Sequence, residues 1–291
     1  MAIIRQITII GCGLIGGSLA LALKKRRFAG RIVGCDRPPV LERARKLRAF
    51  DEGHTHPVEA AQGSQVVVLA TPVGAIIELI GRLGPVLPVP TLLTDMGSTK
   101  VEILAAAQRV FGPSVGRRFL AGHPMAGKEH AGIEFAEADL FQGAAWFLTP
   151  VSGQDVHGGL SGEFLKWVGK TGATVASMEA EAHDKLCAWI SHVPQMLSTA
   201  LAAALVEEYG EGAPLVEAGG RALKEMTRIA GSPYGMWRDI ALTNKKNIQD
   251  ALLKLEQRLA HMRENLDTRE LEKEFGRAHR LKKTPPEKGG G

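Results

Sequence analysis

Two stretches of this 291-residue sequence place side chains and backbone for chemistry. The first, GCGLIGGS, spaces Gly11, Gly13 and Gly16 as G-x-G-x-x-G. Glycine at the first position permits a tight turn, at the second lets backbone approach a pyrophosphate, and at the third lets a helix close on a strand. A helix opening at Leu14 and Ile15 then turns its amides and dipole toward the phosphates. The second stretch, GHPMAGKEH, seats His123 between Gly122 and Pro124, with Gly127 close behind. A core histidine needs no bare backbone around it, whereas one that meets a ligand at close range does. Neutral imidazole, with an ordinary pKa of about 6.5, is suited to drawing off an alcohol proton while hydride leaves the same carbon.

The elements that must position these groups read as an α/β arrangement. Apolar strands are predicted at Gln6 to Gly11, Arg31 to Asp36, Gln65 to Pro72, Thr91 to Asp95 and Arg118 to His123, with helices at Val40 to Ala49, Ala75 to Leu83 and Val101 to Phe111 between them. Such alternation implies a Rossmann-like doubly wound parallel sheet. AAWFLTP (Ala144 to Pro150) and ATVASM (Ala173 to Met178) are expected to extend it. After Met178 the pattern becomes all-helical: Glu181 to Tyr209, Leu215 to Ile229, and Pro233 to about Leu266. The division expected is a dinucleotide-binding domain over 1–178, an all-α substrate and dimerisation domain over 179–267, and a basic, disordered tail over 268–291.

In a doubly wound sheet, ligands lie beyond the carboxyl ends of the strands. Thr71 and Pro72, DMGSTK (Asp95 to Lys100) and the His123 loop all arrive there. Gly97 and Ser98 follow a strand and precede a helix, so Ser98 is either a helix N-cap or a hydroxyl aimed into the cleft. Asp36, ending the second strand, is placed to take both ribose hydroxyls of NAD. A carboxylate there repels a 2′-phosphate, although Arg37 next door would attract one. NAD is therefore expected ahead of NADP.

In the helical half, Arg228 lies three residues after Glu225 and seven after Arg221, near one helix face; by itself this is a surface ion-pair stripe. His183 and His192 are nine residues apart, about 900° on a straight helix and half a turn out of phase, so they cannot face one cleft. His192 precedes Pro194, which kinks the helix, and is chosen as the ligand-facing one. His183, beside Asp184, is read as structural. Trp237, after a Gly–Ser–Pro break, is on its own an ordinary core residue.

Composition is that of a globular protein, 45% hydrophobic and 23% charged. No apolar run is seen to approach the roughly 20 residues of a membrane span, and the N-terminus shows no cleavable leader, so a cytoplasmic location without membrane contact is expected. Cys12, Cys35 and Cys187 suggest neither a disulfide framework nor a zinc site, and no metal is expected. The net charge of +5 is concentrated near the C-terminus and comes without aromatic stacking platforms, so nucleic acid is not expected as a partner.

GCGLIGGS, ATPV, DMGSTK, GHPMAGKEHAG, SHVPQ and MTRIAGSPYGMWRDI, in this order over roughly residues 5 to 265, resemble the prephenate and arogenate dehydrogenases of tyrosine biosynthesis. The resemblance implies NAD-dependent oxidative decarboxylation of prephenate to 4-hydroxyphenylpyruvate, with arogenate as the neighbouring substrate. It implies that His123 is the catalytic histidine and that Ser98 orients it and the substrate hydroxyl. Arg228 would grip a substrate carboxylate, with Glu129 and Glu225 as acidic partners that hold it or gate entry. His192 would contact the substrate side chain, and Trp237 would reach the active site of a partner subunit in a homodimer. Two other readings stand beside it. A hydroxyacid dehydrogenase on the same plan would use a lysine at the start of the helical half, where Lys185 lies. A dinucleotide-sensing regulator would need no imidazole at the nicotinamide.

Overall fold

The computed structural model describes residues 4–211 and 217–283. Its first half is a six-stranded parallel sheet in the order β3-β2-β1-β4-β5-β6, formed by β1 (Gln6–Ile10), β2 (Arg31–Cys35), β3 (Glu52–His54), β4 (Val66–Leu69), β5 (Leu92–Asp95) and β6 (Phe119–Leu120). Strands β1 and β4 are apolar on both faces because helices cover both. Ile7 and Ile9 pack into one buried cluster with Leu19, Leu23 and Val68, while Ile10 packs into the other with Val67, Leu69, Ile76 and Ile80. Helices α1 (Leu14–Lys25), α2 (Pro38–Lys46), α3 (Pro57–Ala60), α4 (Val73–Leu83) and α5 (Val101–Phe111) link successive strands. The strand order reverses between β1 and β4, which creates the crevice of a doubly wound sheet. Strand β3 was not expected; its His54 lies 2.8 Å from Glu52 on the sheet edge.

The sequence reading is corrected at Arg118 to His123. The chain leaves the parallel sheet after Leu120, the last residue registered on β5, opposite Thr94. The backbone of Gly122 is diverted to side chains: its N–H donates to Asp95 Oδ1 at 3.2 Å and its carbonyl accepts from Lys100 Nζ at 2.7 Å. Gly122–Pro124 is instead β7, the edge of a second sheet with β8 (Ala145–Leu148, antiparallel) and β9 (Thr174–Ser177, parallel to β8). Strands β8 and β9 therefore do not extend the main sheet. Short helix α6 (Val115–Arg118) precedes β6, and α7 (Gly159–Lys170) joins β8 to β9.

The second half is helical. One continuous helical run, Ala180–Tyr209, comprises α8 (Ala180–Cys187), a π-helical turn (Ala188–His192) and α9 (Val193–Tyr209). By length and composition alone it is long and apolar enough to cross a membrane, with a mean hydropathy of 1.2 over an 18-residue window, 22% of that window being buried. Polar residues Ser191, His192, Gln195, Ser198 and Thr199 interrupt the apolar run, which is why no unbroken span stands out in the sequence. Helices α10 (Gly220–Thr227), α11 (Tyr234–Thr243) and α12 (Lys245–Glu264) follow, with a 3-10 turn at Arg228–Gly231. The start of the helix expected from Leu215 lies partly outside the described residues. Arg269–Lys283 forms a further helix, α13, where a disordered tail was expected. Glu274 anchors it, largely buried and accepting from Arg258 at 2.9 Å and also from Arg277. Residues 284–291 lie outside the described residues.

Candidate active site

The glycine-rich turn has the shape its spacing predicts. Gly11 sits at φ +98°, and a Cβ there would meet the carbonyl oxygen of Ala70 at 2.6 Å. A Cβ on Gly16 would lie 2.0 Å from the carbonyl oxygen of Gly11, so α1 approaches β1 this closely only with glycine. At Gly13, the N-cap of α1, a Cβ would meet nothing within 4 Å. That open face, ahead of the helix's first turn at Leu14 and Ile15, suits a pyrophosphate. Asp36 follows β2 and accepts from the N–H of Cys12 at 2.8 Å and of Arg37 at 2.7 Å, which fixes the carboxylate beside the glycine turn. The Arg37 side chain is 87% exposed and keeps its Nε 4.0 Å from Asp36 Oδ1. Thr71, beyond the end of β4, has a buried hydroxyl with no partner, and Pro72 caps α4. An unsatisfied buried polar atom at the switch point fits a ligand-binding role.

Ser98 is not the N-cap of α5. That helix begins at Val101, and the amides of Lys100 and Val101 are taken by Asp184 at 2.7 and 3.0 Å. The capping carboxylate thus comes from the helical half. Gly97 is held by its own N–H, which donates to Asp95 Oδ2 at 2.8 Å. Asp95 and Lys100 form a fully buried ion pair, and Lys100 also binds the Gly122 carbonyl, so the end of β5 and the start of β7 are pinned together.

His123, mid-strand in β7 and 7% exposed, lies with Nδ1 2.9 Å from Nε2 of His183. His183 Nδ1 lies 2.8 Å from Asp184 Oδ1. These contacts set the tautomers. A carboxylate only accepts, so His183 carries its proton on Nδ1 and its Nε2 must accept. His123 then donates from Nδ1, which leaves the lone pair on His123 Nε2. Burial holds the imidazolium form of His123 well below its usual range, with His183, Lys100 and His192 acting in the same direction. The result is a neutral base with its free nitrogen fixed. His183, expected from sequence to be structural, lies between His123 and Asp184 within hydrogen-bond reach of both. The adjacent pair His183–Asp184 was the available signal, and the phase argument pointed away from it.

The helix carrying His183 and His192 is not a straight α-helix. The π turn at Ala188–His192 absorbs about one extra residue. Nine residues then turn through about 800°, so His192 falls about 80° rather than half a turn from the direction of His183. His192 is fully buried, and burial lowers its pKa to about 4. Asn244 Nδ2 donates to its Nδ1 at 3.1 Å and to the carbonyl of Asp184 at 2.7 Å. His192 therefore keeps its proton on Nε2, which has no partner. Trp237 packs edge-on with its ring centroid 6.0 Å away, and its buried indole N–H is also unpartnered. Within one chain Trp237 thus meets His192. Two adjacent buried donors without acceptors suit a ligand that supplies oxygen lone pairs.

Arg228 donates to Glu129 Oε2 at 2.9 Å, across the two halves. It lines a shallow concavity with Arg221, Lys224 and Glu225, as the shared helix face predicts. The arrangement brings together a dinucleotide cradle, a neutral imidazole base, two unpaired N–H donors and a cation-rich rim. Lys185 shares α8 with His183 but has no place in these contacts.

Comparison with known proteins points to one family. Residues 19–158 match the nucleotide-binding domain of prephenate dehydrogenase, and residues 179–280 match its dimerization domain. A prephenate dehydrogenase of Lactococcus lactis is 34% identical over 270 residues, covering 87% of this chain and 72% of that protein. The crystal structure of prephenate dehydrogenase from A. aeolicus with hydroxyphenyl propionate and NAD+ superposes with a TM-score of 0.82 at 32% identity, covering 96% of each chain. Synechocystis arogenate dehydrogenase gives a TM-score of 0.70 at 26% identity, covering 95% of each. The chain belongs to the prephenate dehydrogenase family.

Proposed function

We propose that this chain catalyses the NAD-dependent oxidative decarboxylation of prephenate to 4-hydroxyphenylpyruvate. The observation that carries the reading is the Asp184–His183–His123 relay, which leaves one neutral imidazole nitrogen free to accept a proton. Gly11, Gly13, Gly16, Asp36, Thr71, Pro72 and Gly97 would hold the dinucleotide. NAD, when bound, supplies the acceptor for the hydride leaving the hydroxyl-bearing carbon. His123 Nε2 takes the hydroxyl proton as that carbon becomes a carbonyl, and Ser98 helps orient the hydroxyl. The dienone is the electron sink for the ring carboxylate para to it. Loss of carbon dioxide makes the ring aromatic, and the proton on His123 is available to return to the phenolate oxygen. No separate decarboxylating acid is required.

Arg228 is the anchor for a substrate carboxylate, held in place by Glu129 with Glu225 alongside. The unpaired N–H groups of His192 and Trp237 favour prephenate over arogenate. A keto oxygen accepts from such donors, whereas the ammonium of arogenate would bring its own protons toward them. A second copy of the chain is proposed to cover the apolar outer face of the helical half. Trp189, Ile190, Val206, Tyr209, Leu242 and Leu253 lie exposed there, within the span matching a dimerization domain. A cytoplasmic location is proposed as well, which suits a diffusible substrate and dinucleotide.

The test is a parallel assay of prephenate and arogenate with NAD and NADP. Prephenate with NAD is expected to give the highest kcat/KM; a higher value with arogenate overturns the substrate assignment. In the same assay His123→Asn is expected to lower kcat by about 10²- to 10⁴-fold with KM little changed. Unaltered turnover would remove His123 as the base.

A further inference from the structure

Cys187 was set aside from sequence as one of three scattered thiols, yet the fold presses it against the two relay histidines. Its Sγ is 3.4 Å from His183 Nε2 and 3.9 Å from His123 Nδ1, and those two nitrogens are 2.9 Å apart. We propose that His123, His183 and Cys187 form a binding site for a soft divalent cation of the zinc type, and that occupation of this site switches the enzyme off.

The geometry is close to what such an ion needs. With metal–nitrogen bonds of about 2.0–2.1 Å and a metal–sulfur bond of about 2.3 Å, a tetrahedral site spaces two nitrogens by about 3.3 Å and nitrogen from sulfur by about 3.6 Å. The nitrogen–sulfur separations of 3.4 and 3.9 Å bracket the second value, the nitrogens at 2.9 Å are closer than the first, and a shift of a few tenths of an ångström in the His123 ring meets both. Two imidazoles and a thiolate select zinc, cobalt or cadmium over magnesium or calcium. Asp184 already stands behind His183, bonded to the ring nitrogen opposite the site, as carboxylates do behind metal-binding histidines. Charge balances as well. A divalent cation with the Cys187 thiolate and the Asp184 carboxylate is neutral, and the adjacent Lys100–Asp95 pair is neutral too, so no net charge is buried.

The link to activity is a proton shift. Binding through His123 Nδ1 requires the proton now on that nitrogen to sit on Nε2, which is the atom that must accept from the substrate. Cys187 releases its thiol proton, and no redox change occurs. His123 then has no lone pair to offer, so the ion suppresses kcat without needing to displace substrate. This effect on turnover rests on the reading of His123 as the base; binding of the ion does not.

The test uses the full-length protein freed of metal with a chelator. Zn²⁺ titration of the wild type should abolish turnover reversibly, with recovery on adding EDTA. Cys187→Ala should keep its metal-free activity and shift the Zn²⁺ inhibition midpoint upward by roughly tenfold or more. Cys187→Ser, closer in shape, serves if the alanine variant folds poorly. Independently of any substrate, Co²⁺ should give a thiolate-to-cobalt charge-transfer band in the wild type that is lost in the Cys187 variants. Absence of the band in wild type overturns the site even if the enzyme is active on prephenate. Equal zinc sensitivity of wild type and variants overturns it too.

Discussion

Replacing His183 with Leu asks whether the relay does more than fill space. In the resting enzyme His123 Nδ1 donates to His183 Nε2 at 2.9 Å, and the next bond, to Asp184, is 2.8 Å. When His123 takes the substrate proton this contact becomes a hydrogen bond from a cation toward an imidazole polarised by a carboxylate. Hydrogen bonds to charged groups are worth about 1.5–3 kcal/mol. At about 1.36 kcal/mol per factor of ten, losing it lowers kcat roughly 10- to 150-fold. The loss is confined to the transition state, so KM for prephenate should move little. His183→Gln is the control, since its amide oxygen can still accept from Nδ1–H, and it should recover part of the lost kcat. The assay is initial-rate NADH formation at saturating and limiting prephenate, with thermal melts confirming that both variants are folded. Three results refute the reasoning: kcat of the Leu variant within about twofold of wild type, a loss carried by KM, or a Gln variant no better than Leu.

Arg228→Ala should raise KM for prephenate by roughly tenfold, the lower end for a charge-assisted contact because the side chain is 57% exposed, with a smaller fall in kcat; an unchanged KM places the carboxylate anchor elsewhere. Gly13→Ala and Gly16→Ala should separate, because a Cβ at Gly13 meets open space whereas one at Gly16 lies 2.0 Å from the Gly11 carbonyl oxygen. The first should keep its melting temperature but weaken NAD binding in a fluorescence titration, while the second should lose stability as well. The depressed pKa of His192, about 4 from an ordinary 6.5, gives a pH signature. Above about pH 6.5 neither folded nor unfolded state holds the proton. As pH falls toward 4 the unfolded chain binds it and the folded chain does not, so stability drops by up to about 3 kcal/mol. Melting temperatures should fall across that window, and the fall should be shallower in His192→Gln.

Much of the fold was legible because it rests on local signals. Strand–helix alternation and the glycine spacing announce a doubly wound sheet, and Asp36 falls at the strand end where arithmetic puts it. What was not legible depended on side chains capturing backbone. The strand expected through His123 breaks at Gly122 because Asp95 and Lys100 take its N–H and carbonyl, and no periodicity reports that. Ser98 reads as a possible cap, but the cap is Asp184, more than eighty residues away. The π turn before Pro194 is similarly hidden, since a proline predicts only that a carbonyl loses its partner. It does not say whether the helix kinks or widens.

These hidden features converge on one arrangement. His123 belongs to the strand-rich half, while His183 and Asp184 belong to the first helix of the other. Asp184 spends one oxygen on His183 and on the Lys100 amide and the other on the Val101 amide, so the docking that caps α5 is also the docking that sets the His123 tautomer. Thr99 to Thr243 at 2.8 Å, Gly74 N–H to Asp239 at 2.9 Å and Arg228 to Glu129 tie the same interface. A chain whose halves are imperfectly docked would still present its glycine turn and bind dinucleotide, but its imidazole would lose the acceptor that fixes the proton on Nδ1. Asp239→Ala tests this coupling away from the chemistry. Freeing the start of α4 should leave NAD affinity within about twofold yet lower kcat by up to roughly tenfold, at about 1.5 kcal/mol for one lost charge-assisted bond. An unchanged kcat in a variant with a lowered melting temperature would show that docking and catalysis are separate.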